Sequence, residues 1–182
     1  GPTHAFAMNN LLENKTAVVT GGSRGIGKSI VESFSAEGAQ VLTCARNSEN
    51  IDLPVGVHWL QVDVGQSTEI NALAEYALNV LGRVDILVNN AGIAIQGKIT
   101  SHSNATWQAL VNTNISSVFY LSRAAIGPMK QQGGGVIINL SSECGLIAYE
   151  DLAAYSATNG AVSMFTKVLV RSEEHTSGLQ SQ

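Results

Sequence analysis

Cysteine is scarce in this chain of 182 residues, where only Cys44 and Cys144 occur. Two thiols do not build a disulfide framework, and no Cys/His cluster has the spacing of a metal site. Free thiols in a reducing cytoplasm are therefore expected. Charge is scarce as well: charged residues make up 13% and the net charge is −4. That balance gives no electrostatic footing for nucleic acid or an anionic membrane surface. No apolar run reaches the length of a membrane span. The N-terminus "GPTHAFAMNN" lacks the basic region and apolar stretch of a secretory signal. Its Gly-Pro start reads as a protease-cleavage scar, so residues 1–8 are expected to be a tag or leader.

What the chain has is apolar residues, 45% of the total, in a length that suits one domain with a sizeable core. They come in two alternating patterns. Short β-branched or apolar runs predict strands at 16–20, 40–45, 57–64, 85–92 and 135–142. Helical spacing predicts helices at 24–37, 67–81, 104 to about 130, and 152–170. Gly127-Pro128 is expected to kink or shorten the third of these helices. Apolar strands separated by helices mean a parallel sheet covered on both faces. The expected fold is α/β: a Rossmann-like, doubly wound parallel sheet in three layers, spanning residues 9–170. Such a sheet binds ligands beyond the carboxyl ends of its strands, and the unusual residues fall there.

"TGGSRGIG" (20–27) follows a strand and opens a helix. Gly21, Gly25 and Gly27 let the backbone turn tightly and approach a phosphate, and the helix N-terminus adds free N–H groups. Ser23, Arg24 and Ile26 share that turn. A dinucleotide ribose is usually held by an acid at the end of the second strand. This chain has "TCARN" there, with Arg46 and no acid. Arg24 and Arg46 would suit a 2′-phosphate, so NADP(H) is expected over NAD(H).

Taken together, the glycine motif, the pair Asp63-Val64, "NNAG" (89–92), "TNISSVF" (113–119), "SS" (141–142) and "YSAT" (from 155) resemble the short-chain dehydrogenase/reductase family from about Leu11 to Val170. The resemblance implies that Asp63 meets the adenine amine, with Val64 beside it. It implies that the segment Asn89–Gly92, with Asn90, Ala91 and Gly92, lines the adenine-ribose side and steadies the central sheet. It makes Asn114, Ser142 and Tyr155 the catalytic residues of carbonyl reduction or secondary-alcohol oxidation. Tyr155 would exchange a proton with the carbonyl oxygen, Ser142 would hydrogen-bond that oxygen, and Asn114 would hold a relaying water. Pocket positions such as Ile95, Gln96, Leu146 and Tyr149 leave the small-molecule substrate open.

One letter departs from the pattern. The family carries a lysine one helical turn after the tyrosine, and this chain carries Asn159. Asn159 could still hydrogen-bond a ribose but cannot supply the charge that depresses a phenol's pKa. Lys167 would lie about 12 Å further along the same helix, too far to replace it. Impaired turnover is therefore expected, and a cofactor-binding module without turnover, or a truncated fragment, stays open as an alternative. The stretch "RSEEHTSGLQSQ" (171–182) is similar to the translation of a sequencing-adapter oligonucleotide and reads as non-native. The family's last two strands and substrate-covering loop would then be missing, leaving the fifth strand with an open edge. A homodimer through helices 104–130 and 152–170 is expected.

Overall fold

In a computed structural model, the structure describes residues 10–48, 51–93, 95–140 and 167–171. Strand β1 (Thr16–Thr20) leads through the glycine turn into helix α1 (Gly25–Ala36), and β2 (Gln40–Ala45) follows. Next come β3 (His58–Gln61), α2 (Ser67–Leu81) and β4 (Ile86–Asn89). A single long helical rod then combines α3 (Asn104–Val111), a π-helical stretch Asn112–Ser116 and α4 (Ser117–Gln131). Strand β5 (Gly134–Asn139) and strand β6 (Lys167–Arg171) complete the order.

The sheet order is β3-β2-β1-β4-β5-β6. Pairings among the first five strands are parallel, with Val19 aligned to Thr43 on one side and Val88 on the other. The chain winds outward from β1 in both directions, so a crevice opens between the carboxyl ends of β1 and β4. All five residues of β1 are buried. Alternate side chains sort the core into two layers. Val18, Leu87 and Ile137 pack with Leu73 of α2 and with Leu121 and Met129 of α4. On the opposite face, Val19, Val41 and Val88 pack with Val31 of α1. Each such aliphatic side chain contributes about 1.5–3 kcal/mol by leaving water.

Three strands are shorter than their apolar patterns. β3 stops at Gln61 because its partner β2 ends at Ala45. β4 stops at Asn89 because the N–H groups of Asn90 and Ala91 turn to the Thr20 hydroxyl, at 3.0 and 2.9 Å. β5 ends at Asn139, and residues 141–142 lie outside the described residues. The Gly127-Pro128 pair does not end its helix, which continues to Gln131. Ser103 caps the rod's start, its hydroxyl oxygen accepting the Thr106 N–H at 3.1 Å.

The largest correction concerns the expected helix 152–170. Residues 152–166 lie outside the described residues, but Lys167–Arg171 is a strand. It pairs antiparallel to β5, Lys167 against Ile138 and Arg171 against Gly134. The sheet is thus mixed, and the edge of β5 expected to be open is covered. The physical reason is that "VLV" suits a strand as well as a helix, and an unpaired strand edge supplies the hydrogen bonds that decide between them. The helical measure that placed Lys167 far along an axis does not apply. Its backbone stands at the carboxyl end of the parallel strands.

Candidate functional site

Gly21 leaves β1 with φ +69°, a conformation that favours glycine, and its N–H donates to the Cys44 carbonyl at 2.8 Å. The turn folds tightly back on itself: a Cβ at Gly27 would run into the Gly21 carbonyl oxygen and the Asn90 side-chain amide. α1 begins at Gly25 with Arg24 as N-cap. No side chain caps its free N–H groups, and no acid stands in its first turn. Those donors and the positive end of the helix dipole are left for an anion.

Beside this turn lies a groove of about 650 Å³. The turn forms one wall, and Ala45, Arg46 and Asn47 at the end of β2 form another. Val62 and Val64 contribute from the segment after β3, and Asn90–Ile93 from the segment after β4. Of the sequence-chosen residues, Gly21, Ser23, Arg24, Gly25, Ile26, Gly27, Arg46, Val64, Asn90, Ala91 and Gly92 all line this one groove. Residues as distant in sequence as Gly21 and Gly92 meet there because the parallel strands end together. Arg24 and Arg46 are exposed, and neither holds an ion pair among the described residues.

Asp63 behaves differently. It is not part of the groove lining, and its carboxylate accepts the Gly65 N–H at 2.9 Å. That carboxylate closes the turn leading into α2. Other lining residues carry no local sequence signal. Thr113 reaches the groove from the helical rod, and Cys44 stands at its base. Burial pushes the Cys44 thiol up to about 12, against a smaller lowering from a Gly21 backbone hydrogen bond. It is an inert protonated thiol rather than a nucleophile.

Asn114 is buried inside the π-helical stretch. Its Oδ1 accepts the Ile93 N–H at 2.8 Å and its Nδ2 donates to the Ile93 carbonyl at 2.9 Å. The side chain therefore clasps the segment after β4 against the rod. Single π-turns occur often at functional sites, where they re-aim a side chain. Ile93 had no sequence signal as its partner, since the contact spans 21 residues and depends on how the rod crosses the sheet. Ser142, Tyr155 and Asn159 lie outside the described residues, as do Leu146 and Tyr149. Among the described residues no cluster could hold a metal ion, and no helix is long and apolar enough to cross a membrane.

A family profile described as short chain dehydrogenase matches residues 15–178. The chain is 36% identical over 171 residues to the 3-oxoacyl-(acyl-carrier-protein) reductase FabG of Chlamydia trachomatis, covering 89% of this chain and 69% of that protein. It is 34% identical over 174 residues to the 3alpha-hydroxysteroid dehydrogenase of Mediterraneibacter gnavus, covering 90% and 70%. Among solved structures, a short-chain dehydrogenase from Streptomyces avermitilis matches with a TM-score of 0.76 at 32% identity. That match covers 82% of this chain and 57% of the solved one.

Proposed function

The chain belongs to the short-chain dehydrogenase family, and from that premise we propose that it binds NADP(H) for carbonyl reduction or secondary-alcohol oxidation. One observation carries the proposal: an uncapped helix N-terminus and two exposed arginines, neither in an ion pair among the described residues, converge on one groove. The groove's volume falls in the range of roughly 300–1,000 Å³ usual for small-molecule sites. Gly21 and Gly27 let the backbone approach a pyrophosphate, while Arg24 and Arg46 would face a 2′-phosphate. Asn90–Gly92 would line the ribose. When bound, the cofactor supplies a hydride.

The chain's own residues would handle the proton. Tyr155 is the proposed acid and Ser142 the proposed hydrogen-bond partner of the carbonyl oxygen. Asn114 would keep the segment after β4 in place while this happens. A phenol titrates near pH 10 and needs a neighbouring cation to act near neutrality. Asn159 provides none. A second reading, cofactor binding without turnover, rests on that residue. The substrate would be a small carbonyl compound or alcohol, in line with the reductase and hydroxysteroid dehydrogenase names of the relatives.

Titrating NADPH and NADH by fluorescence or calorimetry tests the proposal. A charge-assisted hydrogen bond is worth about 1.5–3 kcal/mol, so NADPH should bind roughly tenfold or more tighter, with the margin falling as salt rises. Equal affinity, or tighter NADH, would overturn the cofactor assignment. The proposed homodimer would use the rod that includes α3 and α4, where Trp107 and Phe119 are 43% and 59% exposed. Light scattering that returned a clean monomer would count against it.

A further inference from the structure

We propose that Thr113 belongs to the binding machinery of the groove: its hydroxyl, rather than the Asp63 carboxylate, hydrogen-bonds the edge of the cofactor's adenine. The assignment rests on the functional reading above and names the group that meets the base. Thr113 sits in the π-helical stretch and is 6% exposed. Its backbone carbonyl accepts the Ser117 hydroxyl, while its own hydroxyl has no hydrogen-bond partner among the described residues. A helical threonine ordinarily turns that hydroxyl back to a carbonyl three or four residues earlier. This one stands against the loop after β3 instead, where a Cβ added to Gly65 would come within 3.0 Å of Thr113 Oγ1. The absence of a side chain at Gly65 leaves the space that the hydroxyl enters. Among the described residues the one fully enclosed side-chain atom without a partner is Asn89 Oδ1. The Thr113 oxygen therefore keeps an opening, and the space that Thr113 borders is the groove.

The place of this hydroxyl selects its partner. In a doubly wound sheet the glycine turn takes the pyrophosphate, and the end of the second strand takes the adenosine ribose. Arg24 and Arg46 line the groove at those two places. The sheet order puts β3 beyond β2, so the base would extend over the segment that follows β3. That segment gives Val62 and Val64 to the groove, and Thr113 meets it from the rod. A planar base would find apolar surface on the valines and an uncommitted polar group in the hydroxyl. The edge of adenine carries ring nitrogens that accept and an amine that donates, and a hydroxyl can answer either. A β-branched side chain has few rotamers in a helix, so the group is oriented before the base arrives. Asp63 is placed differently: it lies outside the groove lining, and its carboxylate accepts the Gly65 N–H at 2.9 Å. The contact with the base expected of Asp63 passes to Thr113.

The test uses Thr113→Val, which keeps the shape and removes the hydroxyl, and Thr113→Ser, which keeps the hydroxyl. Calorimetry measures their affinity for NADPH, for AMP and for ribose 5-phosphate, a pair of small ligands that differ only in the base. Urea midpoints are read on the ligand-free proteins. Thr113→Val should bind NADPH and AMP about fivefold more weakly, the loss of one neutral hydrogen bond. Its affinity for ribose 5-phosphate should stay within about twofold of the parent, and so should every affinity of Thr113→Ser. Its midpoint should not fall, since no hydrogen bond of the free protein is lost. AMP affinity unchanged in Thr113→Val overturns the proposal. An equal loss for ribose 5-phosphate does the same, because it would report a change of groove shape rather than a lost contact with the base. A larger loss of AMP affinity in Asp63→Asn than in Thr113→Val would return the base to the carboxylate and also overturn it. Should Thr113→Val not fold, Thr113→Ala set against Thr113→Ser makes the same comparison, and equal AMP affinity in the two overturns the assignment. A parent protein that binds neither NADPH nor NADH refutes the functional reading. AMP binding then judges Thr113 by itself, and a parent that does not bind AMP either overturns both.

Discussion

Replacing Asp85 with alanine should destabilise the fold by about 2–4 kcal/mol, and the site shows why. Asp85 precedes β4 and its side chain is only 10% exposed. One carboxylate oxygen accepts the Thr16 N–H at 2.9 Å and lies 3.2 Å from the Thr16 hydroxyl. The other accepts from Arg83 at 2.9 Å, with a second Arg83 nitrogen at 2.7 Å. Losing the acceptor of a buried N–H costs about 1–3 kcal/mol. The Arg83 side chain is 49% exposed, so its ion pair adds only about 0.2–1 kcal/mol. The backbone of Asp85 also bridges strands, its N–H to Thr16 and its carbonyl to the Val136 N–H. Disturbance would therefore spread along β1, β4 and β5.

The same residue makes a pH prediction. Burial alone would raise the Asp85 carboxyl above its ordinary 3.8, but the Thr16 N–H, the Arg83 contacts and the Thr16 hydroxyl outweigh it and hold the group lower. A depressed carboxyl contributes stability that is present above its unfolded value and lost as pH falls through its folded value. Urea unfolding of the parent and of Asp85→Asn should be compared at pH 7, 5, 4 and 3. The parent should lead by a constant margin at pH 7 and 5. That lead should shrink once pH drops below about 3.8. A gap under about 0.5 kcal/mol at pH 7, the scatter of ordinary surface changes, would refute the reasoning. So would a gap that widens on acidification.

Three further predictions follow from the groove and from Asn159. Arg24→Ala and Arg46→Ala should each lower the preference for NADPH over NADH by about tenfold in a titration; an unchanged ratio would remove that arginine from the site. In a Cys144→Ser background, Cys44 should resist a thiol reagent at pH 8 in the native state and react fully in urea, because its thiolate fraction is on the order of 10⁻⁴. Rapid native labelling would contradict its burial. Asn159→Lys should raise NADPH-dependent ketone reduction by at least about 10² and move its pH profile toward neutrality. Matching rates for the two forms, followed by cofactor oxidation from about pH 6 to 10, would make Asn159 a tolerated residue rather than a broken one.

Local chemistry by itself determined a good deal here. The bounds of β1, β2 and α2 follow from β-branched runs and 3.6-residue spacing, which report directly on which face is buried. The glycine turn at 21–27 was legible because tight backbone needs glycine and an anion needs free N–H groups, both short-range demands. Strand alternation with helices then implied a parallel sheet, and the sheet implied where the groove must open. Tertiary structure decided whatever depended on a partner. β3 and β4 end where their neighbours stop or where Thr20 captures the next N–H groups. Asp63, part of a recognisable pair, is drawn to Gly65 rather than into the groove lining. Asn114 finds Ile93, and Asn89 finds Asn139, across separations that no local pattern encodes. The segment at Lys167–Arg171 carries apolar residues compatible with helix or strand, and the edge of β5 settles the choice. A strand's hydrogen bonds are made with another segment, whereas a helix satisfies its own. Helices are therefore written largely in their own residues, and strands and buried polar pairs are completed only by the chain that comes to lie beside them.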